Sequence, residues 1–236
     1  MAYLVHAVTR ELPDDTGDDR PPLETVVDGE LVGVASRIDG DEALPTRANL
    51  LHHTQVLEHL AQHTTVLPMR FGVVVPHLDA IVDDFLHPER HRLRATLDRL
   101  EGHVELRLRG RYEEARVIRA VLDDDPGAER LRGRRSTEAK MELGERIVAG
   151  IERRREHDTA RVIEALRPYV AGISEGPITV PLDAFSLSFL VSNEGRPDFE
   201  EAVDRVAETL APLVKFELVG PLPPFSFTDT TASTWA

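Results

Sequence analysis

The sequence predicts an α+β fold in two domains, and three observations lead there. The chain has 236 residues, 41% hydrophobic and 30% charged, long enough to bury a core and balanced as globular proteins are. Segments that alternate apolar and polar residues, the period of a half-buried strand, are interleaved with segments whose apolar residues recur every three or four positions, the period of a helix. From Val104 onward the order strand, helix, long helix, strand, helix, strand is close to a split βαβ arrangement with an inserted helical arm and one strand unaccounted for. The domain boundary is therefore placed just before Val104. This gives an N-terminal sheet-and-helix domain over 1–101, a C-terminal domain over 102–227 and a flexible tail over 228–236.

Residues 3–8, Tyr-Leu-Val-His-Ala-Val, read as a short buried strand ended by the acidic, turn-rich stretch Glu11 to Pro22. Asp28-Gly29 supplies the positive φ angles of a tight turn, so Leu31 to Ser36 is expected to be the return strand of a hairpin. Thr46 follows Pro45 as an N-cap, and Leu50, Thr54, Leu57, Leu60 and Ala61 recur at helical spacing up to about His63. Val66 to Val75 (VLPMRFGVVV) is rich in β-branched residues and is expected as one strand, with Pro68 near its start. Residues 79–100 read as helix with a break near His87-Pro88.

In the second half, Val104, Leu106 and Leu108 alternate with Glu105, Arg107 and Arg109, which is strand and not helix. A short helix over 113–123 is closed by Asp123-Asp124-Asp125-Pro126-Gly127, and a long helix runs from about Ser136 to Val170. Its middle, Glu152 to Asp158 (ERRREHD), is polar all round, so it is expected to project into solvent or touch a partner. Phe185, Leu187, Phe189 and Val191 alternate along a strand, Asp198 to Leu213 is an amphipathic helix, and Lys215 to Val219 is a last strand.

Composition excludes several kinds of chemistry. With no cysteine there is no disulfide framework, thiolate nucleophile or Cys-based metal site. The formal net charge of −14 repels a nucleic-acid backbone overall, so no nucleic-acid partner is expected. No apolar run reaches the roughly 20 residues of a membrane helix, and the N-terminus lacks the pattern of a secretory signal, so the expected place is the cytoplasm, away from membranes. Among the 28 basic residues only Lys140 and Lys215 are lysines, so the positive charge is almost entirely guanidinium, suited to bidentate pairing with carboxylates.

Neither a phosphate-binding glycine motif nor a Gly-x-Ser-x-Gly elbow is present. His52, His59 and His63 share one side of the predicted helix with His53 adjacent, but no glutamate completes a zinc motif. No catalytic residue, cofactor or metal is expected. Two segments stand out. Val66-Leu67-Pro68-Met69-Arg70-Phe71-Gly72 sets an arginine in an apolar strand, where a guanidinium needs a carboxylate partner or an edge facing water, and Arg70 is expected to form a structural ion pair within the sheet. Gly220-Pro221-Leu222-Pro223-Pro224-Phe225-Ser226-Phe227 is an extended, proline-stiffened strip with two aromatics, able to cap its own domain or dock on a partner.

At these two segments the chain resembles the gas vesicle GvpL/GvpF family. Its members open with a short Tyr-containing strand, carry a histidine-bearing helix leading into a "VLP-x-RFG" strand, and close with "GP-W/L-PPYSF". The matching residues are Tyr3, His52 or His53, the run Val66, Leu67, Pro68, Arg70, Phe71 and Gly72, and Gly220, Pro221, Pro223, Pro224, Phe225, Ser226 and Phe227. Leu222 stands where the family often has tryptophan and Phe225 where it often has tyrosine. The resemblance implies a non-enzymatic accessory or minor structural protein of the gas vesicle, a gas-filled protein shell that confers buoyancy. It implies as partners the main gas vesicle shell protein and other gas vesicle accessory proteins, and a C-terminal domain of modified ferredoxin-like fold. The motif residues are the expected interaction residues. Two readings compete: a cytoplasmic ligand-binding regulatory module with a ferredoxin-like sheet, and a histidine-metal enzyme using the 46–63 helix.

Overall fold

The computed structural model describes residues 2–12, 23–38 and 46–228. Most of the acidic stretch expected as a loop, and all of the tail after Thr228, lie outside them. The described residues form two compact units, 2–105 with 221–228, and 106–220. The C-terminal strip thus falls with the first unit, where its partners Arg99 and Glu105 also lie.

In the first unit β1 (Ala2–Thr9), β2 (Leu23–Asp28), β3 (Leu31–Ile38), β4 (Val66–Pro68) and β5 (Val74–Val75) make one antiparallel sheet of order β2-β3-β1-β4, with β5 also on β1. The β2–β3 hairpin turns at Gly29, φ +66°, and pairs Asp28 with Leu31, as the Asp-Gly pair requires. Both faces of the sheet are covered, which is why β1 reads as a continuous apolar run. On one face Val32 and Val34 meet Val56, Leu57 and Leu60 of α1 (Arg47–His63). On the other, Leu31 and Ala35 meet α2 (Asp79–Ile81), the π-helical turn Val82–Leu86 that continues it, and α3 (Arg90–Leu100). Each fully buried aliphatic side chain contributes about 1.5–3 kcal/mol by leaving water. Thr46 caps α1, its Oγ accepting from Asn49 N–H at 3.1 Å. Asp28 and Glu30 at the hairpin turn pair with Arg90 and Arg94 of α3.

The run Val66 to Val75 is not one strand. β4 and β5 both pair with β1, and residues 70–72 leave the sheet between them. Gly72 at φ +97° turns the chain there, a conformation that ten residues of high strand propensity do not reveal.

The second unit holds a four-stranded sheet of order β7-β8-β6-β9, from β6 (His103–Tyr112), β7 (Gly172–Glu175), β8 (Asp183–Ser192) and β9 (Val214–Leu222). β7 is the strand that the sequence pattern left unaccounted for; four residues are too few to show a period. The core joins Leu106, Leu108, Phe185, Leu187 and Phe189 to α4 (Glu114–Asp124), α6 (Thr137–Leu166) and α7 (Arg196–Leu210). Between α4 and α6 lies α5 (Pro126–Leu131), expected only as a turn. Asp125 starts it by accepting from Gly127 and Ala128 N–H at 2.8 and 3.2 Å, with Pro126 at the first helical position.

The polar middle of α6 projects only in part: Glu152, Arg153, Glu156 and His157 are exposed, while Arg154, Arg155 and Asp158 are held by other elements. Asp158 is 1% exposed and accepts the Tyr112 hydroxyl at 3.0 Å. Arg155 donates to the carbonyls of Pro181 and Asp183, and Arg154 pairs with Asp124. A polar helix face can be buried when its groups find partners on other elements, and those partners are invisible to a periodicity argument.

Candidate functional site

The most connected polar centre lies in the first unit, where β1 breaks its own alternation. Val5 pairs with Ala35 and Ala7 with Val34, so His6 is the extra residue of a β-bulge. The bulge turns the imidazole out of the pleat toward α1 and β3. There His6 Nε2 lies 2.8 Å from Ser36 Oγ, and His6 Nδ1 lies 2.9 Å from Nδ1 of His53 on α1. His53 Nε2 lies 3.1 Å from the Met69 carbonyl. Because a carbonyl only accepts, His53 carries its proton on Nε2 and offers Nδ1 as acceptor. His6 therefore donates from Nδ1, and its Nε2 accepts from the Ser36 hydroxyl. One directed chain runs Ser36, His6, His53, Met69.

Both rings are held neutral. Burial, then His53 and His52, push His6 down to about 3, and burial likewise lowers His53. Hydroxyl, imidazole and orienting group here have the connectivity of a nucleophilic triad, but Ser36 is 3% and His6 0% exposed. No substrate reaches that hydroxyl. The third member is a neutral imidazole where a triad has a carboxylate to stabilise an imidazolium. The chain fastens β1, β3, α1 and the segment after β4 to one another.

That segment carries the first sequence motif. Leu67 and Pro68 are buried, and Met69 N–H donates to the His6 carbonyl at 2.8 Å. The half-buried Phe71 sets its ring edge-on to His53, centroids 5.5 Å apart. Arg70, however, is exposed and makes no hydrogen bond or ion pair with a described residue, which corrects the expectation of a guanidinium paired within the sheet. The chain has already left the sheet at this position, and Gly72 completes a turn that holds Arg70 in solvent.

The second motif also divides into anchored and exposed parts. β9 continues through Gly220, at φ +147°, and Pro221 to Leu222, which a proline permits because β9 is an edge strand. Pro223 and Pro224 are buried, and Phe225–Phe227 is a 3₁₀ turn, not the extended strip expected. Ser226 N–H and Oγ–H donate to the two oxygens of the fully buried Glu105 carboxylate at 2.8 and 2.9 Å, and Arg99 donates to the Phe227 carbonyl at 2.6 Å. Phe227 is half-buried, while Phe225 is 40% exposed.

The histidines singled out on α1 go different ways. His52 meets His6 edge-on, and the His59 and His63 rings lie 4.8 Å apart. No cluster of three or more His, Asp or Glu suited to a metal ion occurs among the described residues. His6, Ser36, Arg99 and Glu105 escaped the sequence reading. His6 alone left a signal, as a single polar residue inside an apolar strand.

Buried prolines, a carbonyl clamped by an imidazole and a carboxylate-capped turn fasten both motifs, of which the first leaves Arg70 outside and the second Pro221 and Phe225. Fold and site together define an α+β protein of two antiparallel sheets with two such fastened motifs. The chain belongs to the GvpL/GvpF family of gas vesicle synthesis proteins, whose family model matches residues 2–229. It is 33% identical over 246 residues to gas vesicle protein F of a Streptomyces species, covering 97% of this chain and 100% of that one. It is 30% identical over 254 residues to gas vesicle protein L of the same organism, covering 94% and 91%. The fold is similar to the crystal structure of GvpF from an Anabaena species, with TM-score 0.84, 20% identity and 98% and 99% of the two chains covered. No helix among the described residues is long and apolar enough to cross a membrane.

Proposed function

We propose that this chain is a non-catalytic accessory protein of gas vesicle assembly, located in the cytoplasm and at the vesicle, which binds the main shell protein and other accessory proteins. Family membership over nearly the whole chain supports the place in gas vesicle formation. The observation that carries the binding role is the division of each motif: fastened residues stand beside the exposed Arg70 and Phe225. An arginine and an aromatic exposed on anchored backbone are residue types that anchor protein interfaces. Pro68, Phe71, Gly72, Gly220, Pro221, Pro223, Pro224, Ser226 and Phe227 then act as the frame. The 106–220 unit is read as a modified ferredoxin-like domain, because α6 joins β6 to β7 and α7 joins β8 to β9 in the sheet order β7-β8-β6-β9.

The test is capture of the main shell protein by the full chain. Arg70→Ala combined with Phe225→Ala is expected to lower capture at least tenfold while the melting temperature is kept. Unchanged capture would remove the binding role from these two residues. The competing ligand-binding reading has one supporting feature, a cavity of about 550 Å³ between α6 and β7–β8 lined by Ile163, Ile178, Phe185 and Leu187. A small molecule retained by the purified protein and lost on Ile163→Trp would favour it.

A further inference from the structure

We propose that the exposed end of the second unit's sheet face opposite the core, at Arg109 and Arg111, is a docking surface for an extended acidic segment of a partner protein, its alternate carboxylates taken by these two side chains. The inference does not rest on the gas vesicle reading.

The period of β6 separates its side chains cleanly. Leu106, Leu108 and Tyr112 enter the core, with Gly110 among them, so Arg107, Arg109 and Arg111 occupy the opposite face. Arg109 and Arg111 are exposed, and neither makes a hydrogen bond or ion pair with a described residue. Several other arginines, by contrast, are matched internally: Arg10 with Asp98, Arg90 with Asp28, Arg146 with Asp125, Arg205 with Glu201.

The neighbouring strands strengthen the positive field. In β9, Phe216 and Leu218 pack on the core, so Lys215 and Glu217 share the arginine face. Glu113 N–H donates to the Leu213 carbonyl at 2.9 Å, which brings the end of β6 beside the start of β9 and sets Lys215 near Arg111. On β8 the residues alternating with Phe185, Leu187 and Phe189 are Ser186 and Ser188, which carry no charge. The face therefore holds three arginines and a lysine against two glutamates, the exposed Glu217 and the buried Glu105, and like charges on neighbouring strands repel.

Geometry selects the ligand. Successive residues on one face of a strand are about 6.6–6.8 Å apart, the spacing of alternate side chains in any extended peptide, so two guanidinium forks meet two carboxylates in register. A helix offers its carboxylates three or four residues apart, out of step with these forks. Single-stranded nucleic acid would need aromatic side chains for its bases, but Phe185, Phe189 and Phe216 lie on the core side, and the overall charge of −14 opposes a dense polyanion.

The experiment measures fluorescence anisotropy of a labelled eight-residue peptide alternating glutamate with threonine, titrated with the full chain. Binding is expected to weaken with added salt and to fall at least tenfold in both Arg109→Gln/Arg111→Gln and Arg109→Glu/Arg111→Glu. It is expected to persist in Arg119→Glu, a charge change on the exposed side of α4. Circular dichroism melts verify that each variant is folded. The proposal is overturned if the wild type does not bind the peptide at submillimolar concentration, if both double variants bind as the wild type does, or if Arg119→Glu weakens binding equally. Tighter binding of a single-stranded oligonucleotide than of the peptide, lost in the same double variants, would also overturn it.

Discussion

A further proton on the hydrogen-bond chain from Ser36 to Met69 would place a charge where burial opposes it. Each ring nitrogen of His6 and His53 already has a partner and a fixed role, and burial holds His6 at about 3 against the ordinary 6.5. Between those values the unfolded chain binds a proton that the folded protein refuses. The stability that His6 contributes is therefore fully present above pH 6.5 and lost as the pH falls below it. The unfolding free energy is expected to fall by about 1 kcal/mol between pH 6 and pH 5 through His6 alone, and His53, also lowered by burial, acts in the same direction. Denaturant titrations at pH 7, 6 and 5 check this. His6→Asn is expected to start less stable and to decline less steeply; parallel declines would remove the histidines as the source. Arg70→Ala is expected to change stability by less than about 0.5 kcal/mol, since its side chain leaves no buried partner behind.

Elements in this fold meet at points where one residue decides whether they fit. The Cβ of an alanine at Gly110 on β6 would lie 2.4 Å from the Phe185 ring on β8. Gly110→Ala is expected to destabilise by about 1–3 kcal/mol through overpacking. Adding Phe185→Leu should recover part of that loss, which a thermal-melt double-mutant cycle reads directly; simple additivity would show that the ring contact is not the cause. The 3₁₀ turn at Phe225–Phe227 depends similarly on β6. Glu105→Ala removes the acceptor of both Ser226 donors and is expected to cost about 1–3 kcal/mol. Increased proteolysis after residue 222 is the accompanying sign, because the turn loses its anchor.

Most of the described carboxyl groups lie at the surface while the imidazole chain stays neutral inside, and acid acts on both. The calculated isoelectric point is about 5.1, so mutual repulsion between molecules disappears in the range where His6 and His53 begin to destabilise the fold. Light scattering of the purified protein is expected to rise between about pH 6 and pH 5, with a solubility minimum near the isoelectric point. His6→Asn should shift the unfolding contribution and leave the minimum in place. A minimum that moved with the variant would show that unfolding, not charge, governs it.

Elements whose signals are local are legible in the amino-acid sequence by itself. The Asp28-Gly29 hairpin, the Thr46 cap of α1, the alternation of β6 and β8, and the break ahead of α3 each rest on a turn, a cap or a period contained within a few residues. The motif residues are legible as well, through resemblance, but their roles are not. Arg70 reads as buried and is exposed, while Asp158 reads as exposed and is sealed. The His6 bulge brings together side chains 30 and 47 residues apart, and Ser226 reaches a carboxylate 121 residues away. A local pattern says which face of an element is apolar. Which buried polar group finds which partner depends on how separate elements pack, and that pairing exists only in the folded protein.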